Sequence, residues 1–192
     1  MRIPPALAAA PPPGPDAIAA ACAHRALEPG RYALYTGNLD GYQELATLAA
    51  AAARTPLPVI VATHADASAP APLRTIRRVS ADEARLLTHG AAVTVLARRA
   101  AGGFPMKLLN YMEAARPTIA LAGVADPLVH GESGWLLADD ATPDAWADAI
   151  GRVAADPACA ARLGAAARRT LERDHDPTRA AARLLGLLAD LV

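Results

Sequence analysis

The chain has 192 residues, 53% of them hydrophobic and 20% charged, and its 19 basic side chains balance 19 acidic ones. That length suits one compact domain with a sizeable buried core. Zero formal net charge argues against a nucleic-acid binder or a polybasic membrane binder, whose affinity comes largely from Lys and Arg.

Residues 1–15, rich in Pro and Ala, read as an irregular lead-in, and 16–27 as a short helix ended by Pro29-Gly30. From there strands and helices alternate. Tyr32–Thr36 is a short strand ending at Gly37, and Tyr42–Arg54 has helical composition. Leu57–Thr63 is β-branched and strand-like, and residues 66–72 form a loop. Leu73–Val79 reads as a half-exposed strand. Ser80 caps a helix over 81–89, with Glu83 completing a capping box. Ala91–Leu96 is a buried strand, Pro105–Ala115 a helix, Thr118–Ala122 a strand, and Gly134–Ala138 a short strand after the HGESG turn. Thr142 caps and Pro143 opens the next helix; Asp156 and Pro157 do the same for the one after it. Trp146, Ile150 and Val153 share one helical face, as do Leu184, Leu188 and Leu191, and both stripes read as core packing. Strands alternating with helices indicate an α/β fold: a parallel sheet covered on both faces, with a helical C-terminal third. Ligands of such sheets bind beyond the carboxyl ends of the strands.

Several chemistries lose support. No uninterrupted apolar run is long enough for a transmembrane helix, and prolines break up any signal-peptide core in MRIPPALAAAPPPGP. Cys22 and Cys159 stand alone without metal-ligand spacing, and the five histidines are scattered without an HExxH pairing. Neither a GxSxG elbow nor a GxxxxGK[ST] loop occurs. The informative feature is rarity. Alanine makes up roughly a quarter of the chain, Lys107 is the only lysine, Phe104 the only phenylalanine, Gln43 the only glutamine, and Asn38 and Asn110 the only asparagines. All five fall within residues 37–43 or 102–112.

In the first window, YTGNLDGYQEL, Gly37 follows a strand and Gly41 precedes a helix. Such a turn lets backbone N–H groups and a helix dipole meet an anion, although turn geometry alone also calls for glycine. In the second window, Arg98 and Arg99 follow a strand, then come Gly102-Gly103, Pro105 at the first helical position, Lys107, and Asn110 three residues on. That places three cations and a helix N-terminus around one phosphate-sized volume, with an amide placed for ribose hydroxyls. The bland alternative is a solvated Lys and a capping Asn.

The stretch GGFPMKLLNYMEAARPTIA resembles the E-G-F-G…L-L-E-A-M-A…G-x-P-V-V-A signature of retaining GT-B glycosyltransferases, glycosyltransferase family 4. LVHGESGWLL, DATPDAWADAI and AADPA…AARLGAAAR resemble the family's following segments in order, and YTGNLDGYQEL resembles the glycine loop that opens its donor-binding domain. The resemblance covers about residues 30–190. It implies a Rossmann-like three-layer architecture, with an irregular lead-in over 1–29 and one donor-nucleotide-binding domain over 30–192. It also implies a UDP- or GDP-sugar as substrate, no cofactor, no metal, no nucleic-acid partner, and a cytoplasmic or membrane-peripheral location.

The family's donor-site charges fall on changed residues here: Asn38 and Gln43 in the first loop, Gly102 and Asn110 in the second. The resemblance therefore implies that backbone around Gly37 and around Gly102-Gly103, with Lys107 and Arg98, holds the diphosphate. Asn110 would hold the ribose, and Phe104 lies within the matched motif. Glu132 of the HGESG turn has no assigned role, and no catalytic residue is assigned. Only the second of the two GT-B domains is matched, so the expectation is a chain inactive alone, completed by a separate acceptor-binding subunit or cut short from a longer frame. The alternative is a non-catalytic nucleotide-binding or protein-interaction module.

Overall fold

A computed structural model describes residues 4–41, 43–99 and 103–189. Its centre is a six-stranded, all-parallel sheet in the order β3-β2-β1-β4-β5-β6. The strands are β1 (Ala33–Thr36), β2 (Val59–Ala62), β3 (Arg74–Ile76), β4 (Val93–Leu96), β5 (Thr118–Leu121) and β6 (Trp135–Leu137). The helices are α1 (Pro15–His24), α2 (Leu45–Ala52), α3 (Ala81–Gly90), α4 (Met106–Glu113), α5 (Pro143–Ala155), α6 (Pro157–Asp174) and α7 (Pro177–Ala189). The strand order reverses between β1 and β4, which makes their carboxyl ends the topological switch point of the sheet.

The central strands read as continuous apolar runs because both faces are covered. Tyr35, Val61 and Val95 pack on one face with Leu48 of α2 and Trp146 and Ile150 of α5. Leu34 and Ile60 pack on the other with Cys22 of α1 and Leu87 of α3. Leu96 and Ala120 meet Leu108, Tyr111 and Met112 of α4 and Leu171 of α6. The result is the expected three-layer, Rossmann-like α/β fold with a helical C-terminal third.

Local signals set the helix starts. Ser80 Oγ accepts from Glu83 N, Thr142 Oγ1 from Ala145 N, and Asp156 Oδ1 from Cys159 N. The Glu83 carboxylate is gripped chiefly by Arg25 of the α1 C-cap, at 2.5 and 2.9 Å. That pairing holds it below the usual carboxylate range, with the Ser80 N–H as a lesser partner. Two elements start later than their composition suggests. The segment 42–54 becomes helical only at Leu45, because Gln43 pairs with Arg98 in an isolated antiparallel bridge and Glu44 N donates to Ala97 O at 3.0 Å. Pro105 is the N-cap of α4 rather than its first residue, with ψ of 93°. In α7, Leu184 and Leu185 are exposed rather than packed; the side chain of Leu188, and Leu191, lie outside the described residues. Among the described residues no helix is long and apolar enough to cross a membrane.

The junction of α4 and α6 depends on a glycine. A Cβ on Gly164 would fall 2.0 Å from the Ala115 carbonyl oxygen, so α6 approaches the end of α4 closely only with hydrogen at that position. Ala115 itself has φ of 51°, a left-handed conformation that costs an L-residue roughly 1–2 kcal/mol. Gly164→Ala is therefore expected to destabilise the protein by about 1–3 kcal/mol, and Ala115→Gly to stabilise it by roughly 1 kcal/mol. Urea unfolding of both variants measures the two effects.

Candidate functional site

β1 and β4 pair only through Ala33↔Val93 and Leu34↔Thr94, then part toward their carboxyl ends. The Thr36 N–H, left without a β4 partner, donates to the Tyr111 hydroxyl at 2.8 Å, and Thr36 Oγ1 lies 3.1 Å from the same oxygen. Burial pushes the Tyr111 phenol up to about 12, against a smaller opposing effect of the Thr36 bonds, so it is a fixed neutral group. Tyr111 thereby ties α4 to the opening of the crevice.

Lys107, on the first turn of α4, reaches across that opening. Its Nζ donates to the Tyr35 hydroxyl at 2.7 Å and lies 3.5 Å from Gln43 Oε1. Gly37 has φ of 130°, and a Cβ there would fall 2.8 Å from Lys107 Nζ. The glycine therefore provides the space the ammonium occupies. Its own N–H is donated to Ala62 O at 3.0 Å. Met106 and Lys107 open α4, and a helix start supplies no intrahelical acceptors for their N–H groups.

Burial chiefly, and next the neighbouring Arg98 guanidinium, lower the Lys107 ammonium to about 7, with Asp40 partly opposing them. Arg98 is itself buried and donates to Gly103 O at 3.3 Å. Gly103 has φ of 77°, a conformation suited to glycine. Asn38 donates to the Asp40 carboxylate and receives a 3.3 Å bond from Gln43 Nε2, and its carbonyl accepts from Tyr35 at 2.8 Å. The first loop is thus cross-linked within itself and to Lys107.

The structure brings Gly37, Asn38, Gln43, Arg98, Gly103 and Lys107 together. Asn110 sits one turn deeper on α4, exposed, lining a cavity with Thr36. Phe104 turns elsewhere: it packs with the α4–α6 cluster, its ring 5.6 Å from that of His175. Arg99 does not join the cationic volume, because Glu44 holds it at 2.7 Å. Glu132 is exposed at the HGESG turn, a turn fixed by the Ser133 hydroxyl accepting from Val129 N at 2.9 Å. Gly102 lies outside the described residues. Sequence reasoning missed Tyr35 and Tyr111, whose polar tips act between elements; their only signal was aromatic scarcity, at 4% of the chain.

A family model described as Glycosyl transferases group 1 matches residues 31–156. No curated protein matches the chain. Among solved structures, Anabaena HepE in complex with UDP is similar at a TM-score of 0.78 and 14% identity, over 93% of this chain and 54% of that one. Sucrose-phosphate synthase from Thermosynechococcus elongatus is similar at 0.73 and 22%, over 90% of this chain and 48% of that one. The C-terminal domain of LpcC, a glycosyl transferase group 1 family protein from Francisella tularensis, is similar at 0.68 and 15%, over 86% of this chain and 96% of that one. The chain spans about half the length of the first two and nearly all of the isolated C-terminal domain.

The Lys107 value gives a pH dependence with a definite sign. The side chain is charged below about 7 and neutral above it, so affinity for an anion falls as pH rises through that value. Sulfate, whose charge is constant in this range, should bind more weakly at about pH 8.5 than at about pH 6, and Lys107→Met should remove the difference. Stability runs the other way. The folded value lies below the unfolded 10.5, so the folded state binds fewer protons and this group's penalty shrinks as pH rises from about 7 to 10.5. Lys107→Met should therefore raise the melting temperature more at about pH 6 than at about pH 9, as calorimetry would show.

Proposed function

This chain belongs to the group 1 glycosyl transferase family, and from that premise we propose that it is the donor-binding half of a GT-B glycosyltransferase, holding the diphosphate of a UDP- or GDP-sugar at the switch point of its sheet. The observation that carries the reading is Lys107: a partly buried ammonium seated on Gly37 at the mouth of the β1–β4 crevice. Its hydrogen-bond partners among the described residues are a hydroxyl and an amide, and Arg98 lies close enough to depress its proton affinity, against a smaller effect of Asp40. Two neighbouring cations beside a helix start suit a group of high negative charge density.

In sugar transfer the bond from the anomeric carbon to the diphosphate breaks, and negative charge gathers on the departing diphosphate. Lys107 and Arg98 would stabilise that charge electrostatically. On this reading the positive charge comes from side chains and the reaction proceeds without a metal. The acceptor and the groups that engage it would come from another domain or subunit. A second reading, a nucleotide-binding module without transfer activity, draws on the hydrogen bonding of Asn38, Asp40 and Gln43 within the first loop.

Charge-assisted hydrogen bonds contribute about 1.5–3 kcal/mol, so Lys107→Ala should weaken UDP binding by roughly ten- to hundredfold, measured by calorimetry near neutral pH. An unchanged dissociation constant would remove Lys107 from the site. The purified chain alone is expected not to transfer sugar; turnover by it would refute the division of labour.

A further inference from the structure

We propose that the Pro/Ala-rich lead-in is a wall of the donor site, closing the compartment that takes the nucleoside part of the ligand. The inference rests on the diphosphate reading above and adds to it the role of residues 7–10.

A cavity of about 360 Å³ lies between α3, α4 and the lead-in. Thr36 and Asn110 line it on the crevice side, Asp82 and Arg85 on the α3 side, and Leu7 and Ala10 on the lead-in side. Its volume falls within the ~300–1,000 Å³ range of small-molecule sites. It adjoins the diphosphate site through both chain connections, since Thr36 precedes Gly37 and Asn110 lies one helical turn after Lys107. A ligand with its diphosphate at Lys107 therefore has this cavity for its other end.

The lead-in is anchored at several points. Leu7 N donates to His175 O at 3.0 Å, and His175 Nδ1 lies 2.7 Å from Pro5 O. Arg168 donates to Ala10 O at 3.0 Å, and Arg85 to Pro11 O at 2.6 Å. Leu7 also packs against the α4–α6 cluster. Prolines at 4, 5, 11, 12 and 13 restrict the backbone at and beyond the two ends of the anchored 6–10 stretch. The wall is thus pre-ordered, and a nucleoside meets it without the cost of ordering a loop. An amide and a hydroxyl stand at the end nearest the phosphates, and beyond them Leu7 and several alanines alternate with the polar groups of Asp82, Arg85, Thr88 and Glu113.

The test compares UDP with inorganic pyrophosphate on the full chain. Ala10→Trp fills the cavity from the lead-in side, and Ala8→Trp does so from an exposed lining position where misfolding is not a concern. UDP affinity is expected to fall tenfold or more in either folded variant while pyrophosphate affinity changes less than twofold. Unchanged UDP affinity, or an equal loss of both ligands, overturns the proposal. Wild-type protein that binds UDP no tighter than pyrophosphate also overturns it and leaves the diphosphate site standing. Protein that binds neither overturns the diphosphate reading itself.

Discussion

The seating of the Lys107 ammonium in the space that Gly37 leaves open organises the mouth of the sheet. It exists because three separate features coincide. β1 and β4 stop pairing after Leu34 and Thr94, so a crevice opens. Tyr111 closes the base of that crevice by accepting the N–H that Thr36 would otherwise leave unpaired. Gly37 then leaves room above it, where any side chain would strike Nζ at 2.8 Å. The α4 helix is held at a fixed height by Tyr111 and by the close approach of α6 at Gly164, which sets where the lysine side chain starts from.

The electrostatics of this arrangement are costly for the free protein. A lysine held down to about 7 by burial and by a neighbouring guanidinium gives up stability at every pH where it stays charged in water. A lysine serving only the fold would be paired with a carboxylate or left in solvent. Asp40 acts on it only in part, being bound to Asn38. Positive charge at a crevice that Asp40 compensates only in part fits a site completed by an anionic ligand. The loop positions where the resembled family carries its cations hold Asn38 and Gln43, whose amides bond to each other, and the charge enters from α4 instead.

Much of the fold was legible because its signals are local. Ser80, Thr142 and Asp156 cap the helices they precede, and the β-branched run at 57–63 contains β2. The site was legible only as two windows of rare residues. Where the reading missed, the cause was an interaction between distant segments. Gln43 stays out of α2 because Arg98 pairs with its backbone. Arg99 leaves the cationic volume because Glu44 is near. Phe104 turns to His175, seventy-one positions on in a sequence that offers no sign of the pairing. None of these can be read from spacing or propensity, since each depends on which loops the sheet order brings side by side.

The lead-in shows the same limit most clearly. Its composition has no periodicity to bury, and prolines remove N–H donors, leaving mainly carbonyl acceptors. Those acceptors are what the fold requires. Glu113 is buried on α4, with Arg85 at 2.9 Å and Arg168 at 3.6 Å, and two arginines bring more donors than one carboxylate can accept. The surplus goes to Ala10 O and Pro11 O. A buried carboxylate needs such compensation to be tolerated, and its counter-ions need further acceptors in turn. An irregular strip of carbonyls satisfies them, so a segment without helix or strand signal becomes an ordered part of the structure beside the site.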